Sequence, residues 1–428
     1  MNIQPSGRKL GQTFVTYANR VGAFQRNARL YLLNVILAGA AFGVFRLLFN
    51  FYVLSLGYDE SLLGKLITTN NLTALLVALP VGYLADRIGR KRSLILSGSL
   101  TSLSVLTMVL WPSAGLFFAM NILLGLAQSL GAVTTAPFLM ENSGEEERTY
   151  LFSFSFGLQT LAGFVGNWLG GYLPSWMGVW QTASPTSSTA YGWALGSVGV
   201  LAILGLVPLL GVERKFKGGD QEASTMFAPL SYFRYQRVLL GRLILPLFIT
   251  SIGAGMIMPF MNVFFRTVHR QPDGVIGTLF AWGSLAMGVG LLISPVLAEK
   301  YGKIQVVVIT QALSIPFLMV LGFSPWFWLS AGAYYVRLAL MNMSNPVYQT
   351  FVMEHVDPDA RATVASLTSM AWNFGWAFSP VVSGYLQVQS GFNLPFTITI
   401  VSYILAVTLY WQFFWRGREQ FVSAAVGD

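Results

Sequence analysis

The sequence predicts an all-α membrane protein in which twelve transmembrane helices form two pseudo-symmetric six-helix bundles. Three observations predict this fold: the composition, the number of long apolar runs and an internal repeat. Hydrophobic residues make up 54% of the 428 residues and charged residues only 10%, whereas soluble domains carry about 25% charged residues. So few charges cannot cover the surface of a soluble protein of this length, and so apolar a composition excludes a disordered chain.

Twelve apolar runs are long enough to cross a bilayer, which takes about 20 residues of helix. The predicted helices are 30–57, 61–84, 93–111, 116–140, 150–173, 193–211, 241–265, 274–298, 304–322, 326–350, 361–388 and 394–415. The first run is too long for the apolar part of a secretory signal and has no clear cleavage site. Because the number of crossings is even, both termini are expected on one side of the membrane.

The basic residues predict which side that is. Most of the 26 Lys and Arg residues fall on the side of the termini, and the predicted outer loops hold only Lys65, Arg266 and Arg270. Such an excess of bases is typical of cytoplasmic segments. The chain is therefore predicted to be a multi-pass protein of the cell (cytoplasmic) membrane, an inner membrane, with both termini cytoplasmic. The same placement accounts for the net charge of +9 without a nucleic-acid partner.

The second half of the chain repeats the first at an offset of 213 residues. The offset pairs residue types that seldom match by chance in apolar sequence: Gly64 with Gly277, Glu141 with Glu354, Arg148 with Arg361, and Gly171 with Gly384. Since each unit holds an even number of helices, both halves are expected to cross the membrane in the same orientation. Duplications of this kind place a substrate site near the bilayer midplane, between the two halves.

The repeat and the charges divide the chain into five predicted segments. They are a cytoplasmic N-terminal segment (1–29), an N-terminal six-helix bundle (30–211), a basic cytoplasmic connector (212–240), a C-terminal six-helix bundle (241–415) and a cytoplasmic tail (416–428).

The loop between the second and third predicted helices reads Gly82-Tyr-Leu-Ala-Asp86-Arg87-Ile-Gly89-Arg90-Lys91-Arg92. It resembles the signature of the major facilitator superfamily of secondary transporters, G-x-L-a-D-r-x-G-r-k-r, and a degraded copy ending at Lys303 follows at the equivalent place in the second half. With the twelve helices and the repeat, this resemblance covers the whole chain. It implies a transporter that works by alternating access, in which the loop latches one conformation at the inner face.

The latch candidates are the charged and glycine residues of this loop and of the matching segments at the predicted inner face. They are Gly82, Asp86, Arg87, Gly89, Arg90, Glu141, Arg148, Glu299, Glu354 and Arg361. Glu141 and Glu354 are expected to pair with bases of the signature loops. The alternative is that these charges only fix the topology of the chain.

Two further family patterns are only partly present. Asn121, followed by Gly125, stands where antiporters of the family often carry an Arg in the fourth helix. The fifth helix keeps the glycines of the exporter pattern, in Gly166-Asn167-Trp-Leu-Gly170-Gly171, but lacks its proline. These departures argue against proton-driven drug antiport without excluding export.

Two bases, Arg46 and Arg337, lie deep inside predicted helices, away from the helix ends, and none of the 17 acids does. An ionisable residue at membrane depth indicates a functional site, and a guanidinium fork binds carboxylate, phosphate or sulfate. The family resemblance places the first, fourth, seventh and tenth helices around a central cavity, so Arg46 and Arg337 would face each other across the halves. The alternatives are that Arg46 reaches the outer headgroups and that Arg337 bonds to backbone carbonyls near Pro346.

Amide and aromatic side chains accompany the two arginines in the helices expected to line the cavity. The candidate substrate-binding residues are Arg46, Asn50, Asn121, Gln128, Asn262, Tyr334, Arg337, Trp372 and Asn373. The alternative for each amide is a hydrogen bond that joins two helices.

The sequence therefore predicts a secondary active or facilitative transporter of small organic molecules, and a monomer. The substrate is most simply an organic or phosphorylated anion; the alternative is efflux of amphipathic drugs or lipids. With no Cys, two His and no acid in the predicted core, neither an enzyme nor a metal or other cofactor site is expected. A sensor with a transporter fold stays open, since only a flux measurement distinguishes it.

Overall fold

The structure is a computed structural model that describes residues 22, 24–213, 237–356 and 361–416. Most of the predicted N-terminal segment, connector and tail, with most of their basic residues, lie outside this range. The described part contains twelve long helices and no β-strand. The helices are α1 Arg26–Ser55, α2 Glu60–Ile88, α3 Arg90–Leu110, α4 Ala114–Glu141, α5 Glu145–Trp180, α6 Ser188–Leu210, α7 Arg237–Thr267, α8 Asp273–Tyr301, α9 Lys303–Phe323, α10 Phe327–Glu354, α11 Arg361–Ser390 and α12 Asn393–Tyr410.

Several helices are longer than the apolar runs that predicted them. The fifth runs over Glu145–Trp180 rather than 150–173, and the sixth begins at Ser188 rather than 193. Polar residues outside the apolar runs start some helices: the Ser187 side chain accepts a hydrogen bond from the Ala190 amide at the start of α6. Hydropathy detects only the part of a helix that crosses hydrocarbon, so it underestimates helices that continue into water.

Nine of the twelve helices are long and apolar enough to span a membrane, judged over the described residues. The other three, α5, α10 and α11, carry more polar and aromatic residues along their length. Two of these three, α10 and α11, supply the candidate residues Arg337, Trp372 and Asn373. The chain is a multi-pass membrane protein in which two of the three least apolar helices carry part of the candidate site, and the apolar helices α1, α4 and α7 carry the rest.

The two halves pack in the same way, as the repeat predicts. In the first half α1 packs on α5 and α6, α2 packs on α4, and α3 packs on α4 and α6. The equivalent pairs of the second half are α7 with α11 and α12, α8 with α10, and α9 with α10 and α12. The predicted fold of two pseudo-symmetric six-helix bundles is thereby confirmed.

The halves meet along two repeat-related helix pairs, α2 with α11 and α5 with α8. Glycines sit where these helices approach most closely. A methyl group on Gly64 would lie 2.3 Å from the carbonyl oxygen of Pro380, and one on Gly384 would lie 2.2 Å from the carbonyl of Glu60. Gly277 is equally crowded by the backbone of α5. The absence of a side chain at these positions is what allows the backbones to touch.

The clusters of buried apolar side chains differ between the two ends of the molecule: one joins the two halves and the others do not. One cluster combines both halves, with Leu47 and Phe51 of α1 packed in the same group as Phe260 and Phe264 of α7. Those residues lie towards the predicted outer ends of their helices. Two smaller clusters towards the predicted inner end each belong to a single half. The bundle is therefore packed together across the halves at its predicted outer end.

Candidate functional site

The two core arginines lie in opposite halves and differ in exposure. Arg46, on α1, is exposed, whereas Arg337, on α10, is 2% exposed. Neither arginine forms an ion pair with an acid within the described part of the chain. Each half therefore contributes one positive charge at membrane depth that no acid of the described residues compensates.

Arg337 is turned into its own half instead of facing an open cavity. Its Nη2 donates a hydrogen bond of 2.9 Å to the Tyr403 hydroxyl, and its Nη1 lies 3.4 Å from the Met258 sulfur. The Nε atom is buried without an acceptor. The expectation that Arg337 faces Arg46 across the cavity does not hold in this conformation. Tyr403 explains the difference, because it offers both a hydroxyl acceptor and a ring beneath the cation, 5.4 Å from the ring centroid.

Asn50 and Asn262 lie together, and their side chains hydrogen-bond to each other. The Asn50 amide donates to Oδ1 of Asn262 at 2.9 Å and to the carbonyl of Pro259 at 2.8 Å. The Asn262 amide donates in turn to the carbonyl of Leu47 at 2.7 Å. Both amides are buried, so neither is open to a substrate here. They join α1 to α7 and thus close the space between the halves at the predicted outer end.

A charged and aromatic cluster beside this amide pair was not singled out by the sequence reasoning. The guanidinium of Arg266 lies 4.4 Å from the Phe51 ring centroid and 5.3 Å from that of Tyr191. It also lies 3.7 Å from a carboxylate oxygen of Asp273, to which the Tyr191 hydroxyl donates. The signal that could have found it is an acid at the first position of an apolar run, seven residues after an outer-loop base. We call these four residues the outer lock.

The loop between α7 and α8 adds an aromatic contact next to the outer lock. His269 packs against the rings of Phe264, Phe265 and Phe327. Burial lowers the pKa of the His269 imidazole, since the charged form loses water there. This loop therefore presents a neutral ring, and not a third cation, to the closed outer end.

The polar residues of α4 lie in two different environments, the packed interior of the bundle and the wall of a cavity. Asn121 is buried and donates to the carbonyl of Phe117 in its own helix, at 2.8 Å. Gln128 and Thr135 instead line a cavity of ≈ 270 Å³ inside the first half, together with Asn34 and Gln159. Of these three α4 residues, Asn121 thus packs within its own helix, and Gln128 and Thr135 line the cavity.

The second half contains a larger cavity of ≈ 440 Å³ towards its predicted inner end. Trp372 and Asn373 both line it, with the amides Asn345 and Gln349 and the ring of Tyr348. The two cavities use positions that the repeat relates: Asn34 and Leu247, Thr135 and Tyr348, Gln159 and Trp372. Both of these cavities are lined by uncharged, partly polar side chains, and of the two only the second has a tryptophan on its wall.

The signature loop forms an ion-pair cluster within the first half. Arg90 pairs with Asp86 and lies 3.1 Å from a carboxylate oxygen of Glu141. The repeat reproduces one of these pairs, between Lys303 and Glu354. The expected pairing of both glutamates with loop bases is therefore observed, and each pair stays inside one half.

The other latch candidates occupy less connected positions. Gly89 starts α3 with a φ of 87°, a conformation that favours glycine. Arg148 has a buried Nε without an acceptor, and Arg361 donates to the carbonyl of Met353 at 2.9 Å. Gly82, Arg87 and Glu299 are at least partly exposed. A latch role for this set stays a prediction.

Asp86→Asn should slow transport several-fold while leaving substrate affinity unchanged. The substitution removes one of the two acids that hold Arg90, and the loop lies at the end of the bundle where the halves are not packed together. Glu299→Gln changes the repeat-related acid, which forms no ion pair among the described residues, and should have the weaker effect. Initial uptake rates and equilibrium binding, measured side by side in proteoliposomes, check this; lost binding with unchanged rates would contradict it.

The duplicated bundle, with polar cavities between its helices, defines a multi-pass membrane transporter. The chain belongs to the Major Facilitator Superfamily, whose model matches residues 31–377 and 243–423. A relative, the uncharacterized MFS-type transporter YceJ of Bacillus subtilis (strain 168), is 22% identical over 391 residues, which cover 86% of this chain and 91% of that protein.

Solved structures show the same fold at low sequence identity. The nucleoside transporter NupG has a TM-score of 0.73 at 15% identity, covering 91% of this chain and 98% of that one. A bacterial homologue of the human lysosomal transporter Spinster, inward-facing and unoccupied, has a TM-score of 0.72 at 15% identity, covering 92% and 96%. A D-xylose–proton symporter has a TM-score of 0.68 at 16% sequence identity, covering 91% of this chain and 97% of that one. These structural similarities confirm the predicted fold, and the family model confirms the family predicted from the signature loop.

Proposed function

We propose that this protein moves a small organic or phosphorylated anion across the cell membrane by alternating access. The observation that carries the proposal is the presence of one core arginine in each half, Arg46 and Arg337, with no acid partner for either among the described residues. An Arg at the bilayer centre costs about 2.5–3.5 kcal/mol on insertion scales. Water or a bound anion must offset this cost, and a substrate anion would do so at the junction of the two halves.

The unequal packing of the two ends supports alternating access. The amide pair of Asn50 and Asn262, the outer lock and the shared apolar cluster join the halves at the predicted outer end. At the opposite end the ion pairs and apolar clusters belong to single halves. With both termini cytoplasmic, this arrangement corresponds to an inward-open conformation in which Arg46 is exposed to the cytoplasmic side.

The two internal cavities support an organic rather than an inorganic anion. Trp372 offers a flat face for an unsaturated ring, and the neighbouring amides Asn345, Gln349 and Asn373 can donate to and accept from uncharged polar groups. In this arrangement Arg46 holds the acidic group and the cavities receive the rest of the molecule. The bundle acts as a monomer with the lipid bilayer as its surroundings.

Arg46→Gln should weaken binding of anions about tenfold or more while the protein still inserts and folds. Hydrogen bonds to a charged group contribute about 1.5–3 kcal/mol, and each 1.4 kcal/mol is about tenfold in affinity. The test is equilibrium binding of a panel of carboxylates, phosphate esters, neutral solutes and amphipathic cations in detergent. Lys65→Gln removes an exposed charge from the outer part of α2 and is the matched control.

Two results would overturn the assignment. The first is a wild type that binds only neutral or cationic compounds, which would favour efflux of amphipathic drugs or lipids. The second is an Arg46→Gln variant that binds anions as well as Lys65→Gln does. Thermal unfolding of each variant separates a lost contact from a damaged fold.

A further inference from the structure

Arg337 is a buried cation whose guanidinium is occupied by groups of its own half. The Tyr403 hydroxyl accepts from Nη2, the Met258 sulfur lies beside Nη1, and Nε has no acceptor. A thioether is a weak acceptor, so among the described residues the one strong hydrogen bond that holds this side chain is the bond to Tyr403. Of the three guanidinium nitrogens, Nε has no acceptor in the described part of the chain and Nη1 has only the sulfur.

The group that contacts Arg337 belongs to the turn that closes the outer end. Helix α7 is interrupted by a single 3₁₀ turn, Met258–Phe260, before it resumes at Met261. Within this turn Met258 touches Arg337, and the carbonyl of Pro259 accepts the hydrogen bond from Asn50 across the halves. Two consecutive residues, Met258 and Pro259, therefore link the closure of the outer end to the surroundings of Arg337. Opening that end requires the Asn50 bond to break and frees this turn to move.

We infer that Tyr403 is a positioning residue that withholds Arg337 from the substrate while the outer end is closed. This inference rests on the proposed function. In the inward-open conformation the anion is held by Arg46 alone, because Arg337 donates to Tyr403 instead. When the outer end is open, the 3₁₀ turn moves and Arg337 is released from Tyr403, so that both guanidinium groups can hold the anion. The protein thereby binds its anion more weakly on the cytoplasmic side and releases it there.

Tyr403→Phe separates this role from a structural one. The variant keeps the ring beneath the guanidinium but removes the hydroxyl acceptor, so Nη2 loses its partner and Arg337 becomes free to bind the anion. We expect the affinity of the inward-open protein for the anion to rise about three- to tenfold, the effect of one hydrogen bond. Transport should become slower while KM falls, because release is impeded. Damage to the fold would lower affinity and could not raise it.

The matched control is Tyr410→Phe, which removes the hydroxyl from another buried tyrosine of α12, one whose ring packs on Tyr348. It should bind anions as the wild type does. The double variant Tyr403→Phe/Arg337→Lys should lose the gain, because Lys has no fork. Met258→Leu keeps the volume and removes the sulfur contact, and it should give a smaller gain in affinity even if Tyr403→Phe fails to fold.

The measurement is equilibrium binding of the carboxylates and phosphate esters of the panel to purified protein, with kcat and KM from proteoliposomes. If the wild type binds an anion but neither Tyr403→Phe nor Met258→Leu binds it more tightly, the positioning role is wrong and the proposed function stands. A gain that persists in the double variant also overturns the role of Arg337. If the wild type binds no anion, the proposed function fails and this inference fails with it.

Discussion

Gly277→Ala should reduce transport at least tenfold, whereas Gly288→Ala on the same helix should leave it close to the wild-type rate. A methyl group on Gly277 would lie 2.6 Å from the carbonyl oxygen of Asn167 and 2.7 Å from the Cα of Gly171. Both are backbone atoms of α5, so no side-chain rotation relieves the clash and the two helices must separate. A methyl group on Gly288 meets no atom within 4 Å.

The expected cause is a protein that cannot close its outer end. Replacing Gly by Ala inside a helix stabilises the helix by up to about 1 kcal/mol, and both variants share this gain. A difference between them therefore reports the contact between the halves and not helix propensity. Gly384→Ala, on the repeat-related pair of helices, should act in the same way because its methyl group would lie 2.2 Å from the Glu60 carbonyl.

Distances between the halves measure this directly, because the chain contains no Cys. Spin labels on Ser184→Cys and Ser390→Cys, two exposed positions at the predicted outer ends of opposite halves, should move apart in Gly277→Ala and stay in place in Gly288→Ala. A Gly277→Ala protein that transports at the wild-type rate with an unchanged label distance would show that this helix contact is not needed for closure.

The sequence identifies which glycines are equivalent in the two halves but not which of them touch. The repeat matches Gly64 with Gly277 and Gly171 with Gly384, since these positions are equivalent in the two halves. In the structure Gly64 approaches Gly384, and Gly171 approaches Gly277, because α2 packs on α11 and α5 on α8. An internal repeat identifies equivalent positions, whereas the contacts depend on how the two units are placed against each other.

The sequence predicts which residues belong to the candidate site, but it does not predict how their side chains are arranged. Hydropathy found Arg46 and Arg337 because a base inside an apolar run is conspicuous. It could not find that Arg337 turns towards Tyr403, since the direction of a long side chain depends on acceptors that are distant in sequence. Asn50 and Asn262 were likewise found as polar residues at depth, but their pairing with each other follows from closure of the outer end, which no local pattern encodes.

We expect the second large effect from the substitution Arg266→Gln, which disrupts the outer lock. The substitution removes the ion pair with Asp273 and the cation that lies on the Phe51 ring, and it leaves the carboxylate with Tyr191 as its donor. The side chains of Arg266 and Asp273 are only 23% and 10% exposed. Removing one partner of a buried ion pair costs about 3–5 kcal/mol. We expect the low end of that range because this pair is partly exposed to water. The cost falls on the outward-closed conformation alone, because water can solvate Asp273 once the halves part.

A loss of about 3 kcal/mol changes the ratio of closed to open protein by roughly a hundredfold, so Arg266→Gln should lengthen the Ser184–Ser390 label distance and slow transport strongly. The double variant Arg266→Gln/Asp273→Asn carries no unpaired charge and should recover much of the closure, although not the ring contact. Arg270→Gln removes an exposed base four residues further on and serves as the control. If Arg266→Gln and Arg270→Gln gave the same label distance, or if the double variant were no better closed than Arg266→Gln, the ion pair would not hold the outer end shut and the amide pair of Asn50 with Asn262 would be left as its principal polar contact.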